Sequence, residues 1–409
     1  MTSMLQAGPQ LSLSEQRTLR AEAMFDEFKW DVRCEDHEVL ADFPLLLEHS
    51  TFRHLSAIAE GLSDELFAAE QELLVRPELH RKLGLPKSLC RCLREISVEP
   101  SAGAARVLRF DFHPTRDGWR ISEVNSDVPG GFIEAGALAR RVARFFSGVV
   151  VYGDPACAYA SAIMRVAEQN NRQVALVLAT PHSDDHQVMF HLARVLQRLG
   201  LQTSLVGPGA LRWKNGRAEV SCHYAEGMPS VIVRFVPADW LRVLAGRESW
   251  KSYFRGSRTP LSNPGYALLT QSKRFPTVWD KLKTPLHLWR DFLPKTICPS
   301  SAPDFDSPEW VIKPALGRVG EDVAIRDCIS RDLWIDVLRR ARRHPHEWAV
   351  QERFVAIPIE TPLGPMYPCL GFYTVNGKTA GVYGRVASKP LVDQDARDVA
   401  VLGLSEAGR

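Results

Sequence analysis

Two short segments joined by a turn constrain the fold of this chain more than any other feature. Residues 107–112 read VLRFDF and residues 119–124 read WRISEV, so apolar and polar side chains alternate in both. This alternation is typical of β-strands, because successive side chains point to opposite faces of a sheet. Pro114 and Gly118 lie between the segments and favour a turn. The sequence therefore predicts a β-hairpin.

The register of this hairpin follows from the expected turn. A three-residue loop over 116–118, with Gly118 in the left-handed region, is a common hairpin connection. It gives three facing pairs, which are Thr115 with Trp119, Asp111 with Glu123, and Arg109 with Asn125. The last two pairs then lie on one face of the two strands.

Three oxygen-bearing side chains on this face predict a metal site. Two carboxylates that face each other repel, so Asp111 and Glu123 are costly neighbours unless a cation lies between them. Oxygen donors from Asp, Glu and Asn are the ligands that Mg²⁺ prefers, and Asn125 supplies the third. The alternative is a polar outer face on which Arg109 offsets the acids, and the hairpin pattern alone does not decide between the two.

The residues after the second strand favour an anion beside the metal. Residues 125–131 read NSDVPGG and run directly into a helical pattern over 132–146. A tight loop that enters a helix can direct backbone N–H groups at an anion such as a phosphate. This loop shifts the balance towards the metal-site interpretation.

A second candidate group surrounds Lys313. Residues 310–320 read WVIKPALGRVG, so an apolar strand ends at the lysine and a loop with Gly317, Arg318 and Gly320 follows. A lysine can contact phosphate oxygens as a point charge, and glycines let a loop close over a triphosphate. The spacing matches neither the P-loop nor the dinucleotide-binding pattern. An ordinary strand end followed by a glycine turn is the alternative.

Two further segments near the C-terminal end have a functional and an ordinary interpretation. Gln351 and Glu352 follow an apolar strand over 348–350, where the backbone of a hinge could bind an adenine; the alternative is a plain strand end. Arg385 ends the segment GVYGR, in which Gly381 and Gly384 would let a strand bring a guanidinium close to a ligand. An exposed strand arginine is the alternative, and the pattern alone favours it.

The rest of the chain alternates helices and strands. Apolar residues at three- and four-residue spacing predict helices over 54–95, and 174–178, 183–199 and 201–206 predict a βαβ unit. The segment GSRTPLSNPG over 256–265 is typical of a linker. A helix over 279–289 and strands over 348–386 are predicted after it, and residues 1–17 read as a frayed leader.

Composition excludes several classes of protein. The 409 residues are 45% hydrophobic and 24% charged, which is typical of a globular protein and not of a disordered one. Lys and Arg number 51 against 48 Asp and Glu, so the net charge of +3 does not favour nucleic acid as a partner. No apolar run approaches the ~20 residues of a membrane span. Eight scattered cysteines fit reduced thiols, and we expect a cytoplasmic protein without a membrane partner.

Taken in order, these motifs resemble a known family. RFDF, EVNSD, the βαβ unit, WVIKPALGRVG, QERF and GVYGR are similar to the synthetase region of the glutathionylspermidine synthases, a branch of the ATP-grasp ligases. The resemblance extends from about residue 40 to the end of the chain. In that branch the metal-binding segment precedes the pre-ATP-grasp βαβ unit and the phosphate-binding lysines follow it, which is also the order here.

The resemblance implies a fold and a division of the chain. The fold class is α/β (α+β), an ATP-grasp fold with a pre-ATP-grasp βαβ domain and an N-terminal helical region. We expect four segments, which are an N-terminal helical region at 1–100, the metal-binding hairpin and helix of the ATP-grasp core at 101–150, the pre-ATP-grasp domain at 151–260, and the nucleotide-binding region at 261–409.

The resemblance also implies roles for the candidate residues. Asp111, Glu123 and Asn125 would bind magnesium, and Arg109 would face the phosphates. The ATP-binding residues would be Lys281 and Lys313, the lid residues Gly317, Arg318 and Gly320, and the adenine hinge at Gln351 and Glu352. Arg385 would stabilise the transferring phosphoryl group, and Lys283 is a less favoured substitute for Lys281.

Three departures from the family pattern concern the substrate more than ATP. Val128 and Gly130 stand where the glutathionylspermidine synthases carry small hydroxyl residues, and Val386 replaces an acidic neighbour of the catalytic arginine. The amidase domain that is fused to some members of the family has no counterpart in these 409 residues.

We therefore expect an ATP- and Mg²⁺-dependent carboxylate–amine ligase that acts through an acyl phosphate. Its partners would be a small-molecule or peptide carboxylate and an amine, with no nucleic acid. The ligase has two alternatives, which are a small-molecule kinase of the same fold and a non-catalytic ATP-binding regulator. The sequence names neither substrate, because loops set specificity in such folds, and it does not give the oligomeric state.

Overall fold

The computed structural model describes residues 4–34, 37–96, 104–179, 183–246, 249–302, 304–317 and 322–404. The N-terminal part contains β1 (Leu5–Ala7), α1 (Leu13–Glu27), β2 (Arg33–Cys34), β3 (His37–Glu38), β4 (Leu45–Leu47), α2 (His49–Leu74), α3 (Pro77–His80) and α4 (Lys87–Leu93). The predicted helices over 54–95 are therefore present as three helices.

The middle of the chain alternates strands and helices. It contains β5 (Val107–Thr115), β6 (Gly118–Asn125), a π-helical turn (Ile133–Leu138), α5 (Ala139–Ala143), β7 (Val149–Val151), α6 (Pro155–Val166), β8 (Gln173–Val177), α7 (Ser183–Arg198), β9 (Gln202–Val206), β10 (Leu211–Lys214), β11 (Arg217–Cys222), β12 (Ala225–Gly227), β13 (Val231–Arg234), α8 (Leu241–Leu244), α9 (Ser252–Arg255) and β14 (Leu261–Ser262). The sequence predictions of the hairpin and of the βαβ unit are confirmed.

The last third of the chain is mostly strands. It contains α10 (Leu268–Gln271), α11 (His287–Phe292), β15 (Thr296–Ile297), β16 (Trp310–Pro314), β17 (Ala324–Ile325), α12 (Arg331–Arg343), β18 (Trp348–Glu352), β19 (Ile359–Thr361), β20 (Gly364–Val375), β21 (Lys378–Ala387), β22 (Arg397–Val399) and β23 (Val401–Leu404). The strands predicted over 310–313 and 348–386 are confirmed.

The largest sheet is antiparallel, in the order β22-β21-β20-β5-β6, with β19 paired to β20. One face of this sheet is apolar, because Phe110, Phe112 and Phe372 are fully buried there. α2 packs on this apolar face through Leu55 and Leu62. These two residues lie on one side of α2, because seven positions are about two turns of a helix. The opposite face carries the polar residues of the hairpin.

Two smaller sheets are formed by strands that follow the β5–β6 hairpin in the sequence. β14, β13, β8 and β9 form a parallel sheet with α6 and α7 packed on it. β15, β18, β16 and β17 form an antiparallel sheet, and α12 contributes Trp334 and Leu338 to the same apolar cluster as Ile312 and Val350 of that sheet. Lys313 alternates with these buried residues and so points to the other face.

The N-terminal and C-terminal ends of the described chain share a sheet, in the order β1-β4-β23-β7. The prediction of a frayed leader over residues 1–17 is wrong for residues 4–17, which form β1 and the start of α1. Ser12 and Glu15 form a capping box that satisfies the first free N–H groups of α1. The four-segment division remains a prediction. This sheet joins strands of the first and last segments to β7, which crosses the predicted boundary between residues 150 and 151.

Two local predictions are wrong, which are the linker over 256–265 and the single helix over 279–289. Buried polar contacts account for the first and a proline for the second. The segment 256–265 is no exposed linker: it contains β14, and Asn263 is buried with its side chain bonded to the N–H and the C=O of Val107. The single helix expected over 279–289 is broken into a 3₁₀ helix, Phe275–Lys281, and α11. Pro285 lies between the two and cannot donate a helical hydrogen bond.

Among the helices that the structure describes, none has the length and apolar content needed to cross a membrane.

Candidate functional site

The polar face of the β5–β6 hairpin has the predicted facing pairs. Asp111 lies opposite Glu123, and Arg109 lies opposite Asn125. The predicted turn is nevertheless wrong, because Thr115 pairs with Gly118 and leaves only residues 116 and 117 in the loop. A β-bulge between Asp111 and Phe112 adds one residue to β6 and restores the register.

The extra residue of this bulge is Ser122, which has two functions in the site. Its carbonyl oxygen accepts a hydrogen bond from Lys313 Nζ at 3.0 Å. Its hydroxyl group lies 3.0 Å from His113 Nε2. The bulge therefore keeps the two acids opposite each other and also joins β6 to the sheet that carries Lys313.

Each of the two facing acids has its own cation. The Arg109 guanidinium donates to both oxygens of Asp111, at 2.7 and 2.9 Å. The Lys273 ammonium lies 2.6 Å from Glu123 Oε2. Uncompensated repulsion, from which the sequence predicted a bound cation, is therefore not present in this structure. Burial opposes the charged form of Glu123, but Lys273 holds the pKa of this carboxyl down at about 2.

The third predicted metal ligand, Asn125, turns its amide nitrogen towards the acids. Its Nδ2 lies 3.2 Å from Asp111 Oδ2 and 3.4 Å from Glu123 Oε1. Within the described ranges, no three His, Cys, Asp or Glu side chains group closely enough to hold a metal by themselves. The candidate centre thus consists of two carboxylates and one amide.

Lys313 reaches this face from β16. It is buried, and besides Ser122 its ammonium donates to Gln351 Oε1 at 2.7 Å. Burial, assisted by the charge of Lys273, lowers the pKa of Lys313 to about 8, although Glu123 and Asp111 oppose this change. A buried, partly desolvated ammonium of this kind attracts an anion strongly.

The predicted adenine hinge is only partly free to act as one. The side chain of Gln351 is buried and fixed between Lys313 and the hydroxyl of Thr296, to which its Nε2 donates at 3.0 Å. The backbone N–H of Glu352 donates to the carbonyl of Lys295. The side chain of Glu352 is exposed. The side chain of Gln351 therefore positions Lys313, the predicted phosphate-binding lysine, and is not free to bind an adenine.

Lys281 is not part of the group around Lys313. Its side chain is exposed, and the nearby Lys82 lowers the pKa of its ammonium. Lys283 is also exposed, and its backbone N–H donates to Glu72. The second lysine that faces the acids is Lys273, which the sequence reasoning missed.

A signal for Lys273 was present in the sequence. Residues 270–274 read TQSKR, which is a polar run between apolar stretches. The structure shows that all the polar side chains that flank the lysine are buried. Buried polar residues are uncommon unless they are bonded to something specific. Lys273, Lys313, Glu123 and Gln351 line one small cavity.

The loop after β6 does not offer the predicted anion-binding N–H groups at its start. The N–H groups of Ser126 and Asp127 both donate to Gln271 Oε1, at 2.8 and 3.0 Å. Asp127 is buried in an ion pair with Arg234. The loop instead fixes the segment that leads to Lys273, because Gln271 precedes that lysine by two positions.

Arg385 lies on the same face of the large sheet, on β21. Its Nη2 donates to the carbonyl of Asp393 at 2.5 Å, and its buried Nε has no hydrogen-bond partner. A Cβ on Gly384 would come within 2.6 Å of the Val399 carbonyl oxygen, so this glycine makes room for the neighbouring strand and not for a ligand.

Of the predicted lid residues, Gly317 is described, whereas Arg318 and Gly320 lie outside the described residues.

Comparisons with known proteins concern the family and the fold of the chain. The family model of the glutathionylspermidine synthase pre-ATP-grasp region matches residues 11–402. No curated protein matches the chain. Among solved structures, a glutathione synthetase-like effector from Globodera pallida, in its apo form, has a TM-score of 0.65 at 13% identity, and the match covers 95% of this chain and 96% of that one. The likeness at this identity shows the fold alone, and with the family match it confirms an ATP-grasp-type fold.

Proposed function

Because the chain belongs to the glutathionylspermidine synthase family, a family of synthetases, we propose that it is an ATP- and Mg²⁺-dependent carboxylate–amine ligase. The observation that carries this proposal is the meeting of two sheets. One supplies Arg109, Asp111, Glu123 and Asn125, and the other supplies Lys313. Acids, an amide and a buried lysine that face each other are suited to a metal–triphosphate complex.

The donor set fits Mg²⁺. Asp111 and Glu123 are carboxylates on adjacent strands, and the low pKa of Glu123, at about 2, keeps it ionised. Hard oxygen donors of this kind suit Mg²⁺, which keeps several waters or phosphate oxygens in its shell. When bound, the metal neutralises charge on the triphosphate. Asn125 would complete the set through its amide oxygen after a turn of the amide, whose nitrogen faces the two acids in this structure.

Lys313 and Lys273 would hold the phosphates of ATP. Both ammonium groups now have protein partners, Gln351 for Lys313 and Glu123 for Lys273. Phosphate oxygens are stronger acceptors than an amide oxygen. Binding of ATP would therefore draw Lys313 from Gln351 to a phosphate. The Lys273–Glu123 pair would be exchanged for a Lys273–phosphate contact and a Glu123–metal contact, in which both charges remain neutralised.

The chemistry requires two displacements. A carboxylate oxygen of the acid attacks the γ-phosphorus, ADP leaves, and the acyl phosphate forms. The amine nitrogen then attacks the acyl carbon, inorganic phosphate leaves, and the nitrogen loses a proton. Arg385 and Arg109 would neutralise the charge of the transferring group. The loop that begins at Gly317 would exclude water, which otherwise hydrolyses the acyl phosphate.

A phosphate-release screen tests this proposal. Pairs of amino acids, short peptides and polyamines are supplied with ATP and Mg²⁺, and the product is identified by mass spectrometry. Phosphate release that needs both an acid and an amine, and that Lys313→Met abolishes, is the expected result. A phosphorylated product without an amine would indicate the kinase alternative. Nucleotide binding without phosphate release for any pair would indicate the non-catalytic regulator.

A further inference from the structure

A buried lysine from the N-terminal part of the chain is held by three carboxylates. Lys29, just after α1, is only 3% exposed. Its Nζ lies 2.6 Å from Glu134 Oε1, and 2.9 Å from both Asp31 Oδ1 and Asp398 Oδ2. Burial opposes the charged ammonium, but the carboxylates, led by Asp398, raise the pKa of Lys29 well above its usual value. The ammonium is therefore charged and fixed on three sides.

Asp398 connects this lysine to the candidate site. Its second oxygen, Oδ1, accepts a hydrogen bond of 2.6 Å from the Tyr383 hydroxyl. The ring of Tyr383 lies under the guanidinium of Arg109, with the central carbon 5.1 Å from the ring centroid. Asp398 is also the partner of Arg385 across β21 and β22. The Asp398 carboxylate thus holds the tyrosine that lies under Arg109, and Asp398 also faces Arg385 on the neighbouring strand.

Lys29 keeps this carboxylate ionised. Asp398 and Glu134 are both about 6% exposed, and burial of two acids in one pocket favours protonation of at least one. Lys29 and Arg385 together lower the pKa of Asp398 against the effect of burial, while the pKa of Glu134 is raised by burial. Glu134 Oε2 is buried without a hydrogen-bond partner. Without the lysine, Glu134 and Asp398 would compete for a proton. A proton on Asp398 would weaken the hydrogen bond that its Oδ1 accepts from the Tyr383 hydroxyl.

We propose that Lys29 is a positioning residue, which fixes Asp398 opposite Arg385 on β21 and thereby holds Tyr383 beneath Arg109. Its effect on turnover rests on the proposed ligase function. The Lys29–Asp398–Tyr383 connection itself rests only on the three contacts described above. Lys29 lies about 80 positions before Arg109 in the sequence, outside every motif that indicated the site.

Chemical rescue tests the role of the ammonium. Lys29→Ala removes three carbons and the ammonium, which is the size of propylammonium. The variant should unfold at a lower temperature and turn over at least tenfold more slowly, with the KM for ATP changed less than twofold. Propylammonium chloride should restore both quantities in Lys29→Ala but not in the wild type, and equal concentrations of sodium chloride or propanol should restore neither. Recovery of the unfolding temperature without recovery of turnover would leave Lys29 purely structural and overturn the proposal.

A second variant keeps the proposal testable if Lys29→Ala does not fold. Tyr383→Phe removes only the hydroxyl that joins the ring to Asp398, and it should lower turnover about tenfold with little effect on the KM for ATP. Tyr224→Phe is the matched control, because Tyr224 is 68% exposed. Turnover of Tyr383→Phe at the wild-type rate would overturn the proposal.

A stability measurement separates this proposal from the ligase function. If the wild type releases no phosphate with any pair, the function fails, but the connection can still be measured by a double-mutant cycle of Lys29→Met and Tyr383→Phe on the unfolding equilibrium. Within the described residues, Asp398 bonds to both Lys29 and Tyr383, so we expect a coupling of at least threefold in that equilibrium constant. Additive effects, as expected for Lys29→Met with Tyr224→Phe, would show that the connection does not exist.

Discussion

Replacing Lys313 should reveal how much stability the protein gives up to keep a lysine at this site. Burial, with the neighbouring charge of Lys273, lowers the pKa of Lys313 from 10.5 to about 8. One pKa unit corresponds to about 1.4 kcal/mol, so holding the charged ammonium here costs about 3 kcal/mol at neutral pH. Lys313→Met removes this cost. It also leaves Gln351 Oε1 and the Ser122 carbonyl without their donor, which costs about 1–3 kcal/mol each when buried.

The pH dependence separates these two contributions. Because the folded-state pKa of Lys313 is below its unfolded value, the unfolded chain binds the extra proton between about pH 8 and 10.5. The stability contributed by this residue therefore rises with pH across that window, by up to about 3 kcal/mol. Lys313→Met lacks this rise, whereas the lost hydrogen bonds do not depend on pH there. Other groups that titrate in this window do so in both proteins and cancel in the difference.

The measurement is the free energy of unfolding by urea at pH 7, 8.5 and 10 for the wild type, Lys313→Met and the control Lys283→Met. The difference between Lys313→Met and the wild type should move against the variant by about 2–3 kcal/mol from pH 7 to pH 10. The exposed Lys283 should show no such change. Equal pH slopes for the wild type and Lys313→Met would refute the reasoning, because they would mean that the ammonium is not desolvated.

Three further predictions concern the rest of the site. Lys273→Met should weaken ATP binding at least tenfold by calorimetry, while Lys281→Met should change it less than twofold; the reverse order would return the second ATP lysine to position 281. Arg385→Ala should lower kcat by roughly 10³ with little change in the KM for ATP, and Arg385→Lys should recover little of it; a loss under tenfold would remove this arginine from the chemistry. Asp111→Asn should lower the free energy of unfolding by about 3 kcal/mol, because it leaves the mostly buried Arg109 without its carboxylate; an unchanged or higher stability in urea would contradict this.

Local patterns were sufficient for the parts of the fold that depend on neighbouring residues. Alternation in two segments gave the strands β5 and β6, and the helical period gave α2 and α7. Two of the three predicted facing pairs, Asp111 with Glu123 and Arg109 with Asn125, were correct, whereas the pair of Thr115 with Trp119 and the turn were not. The loop is one residue shorter than expected, and the bulge at Ser122 adds one residue to β6, so the two differences cancel at Asp111 and Glu123.

The bulge itself could not be predicted, because nothing near Ser122 requires it. Its carbonyl accepts from Lys313, which lies 191 positions further along the chain. Lys273 was missed for a similar reason, since its partner Glu123 belongs to a strand 150 positions earlier. A single sequence shows which side chains can bind a metal or a phosphate. It does not show which distant residues already neutralise them.

This distinction reverses one physical expectation about the acids. From the hairpin alone, Asp111 and Glu123 face each other and repel, so removing one of them should relieve strain in the metal-free protein. In the folded chain, Arg109 contacts both oxygens of Asp111, and Lys273 contacts Glu123. Removing an acid therefore creates an unpaired cation in a mostly buried place, which is more costly than the repulsion that it relieves. Both acids are neutralised before any ligand binds, so a metal and a triphosphate would bind by exchanging partners with residues that are already paired.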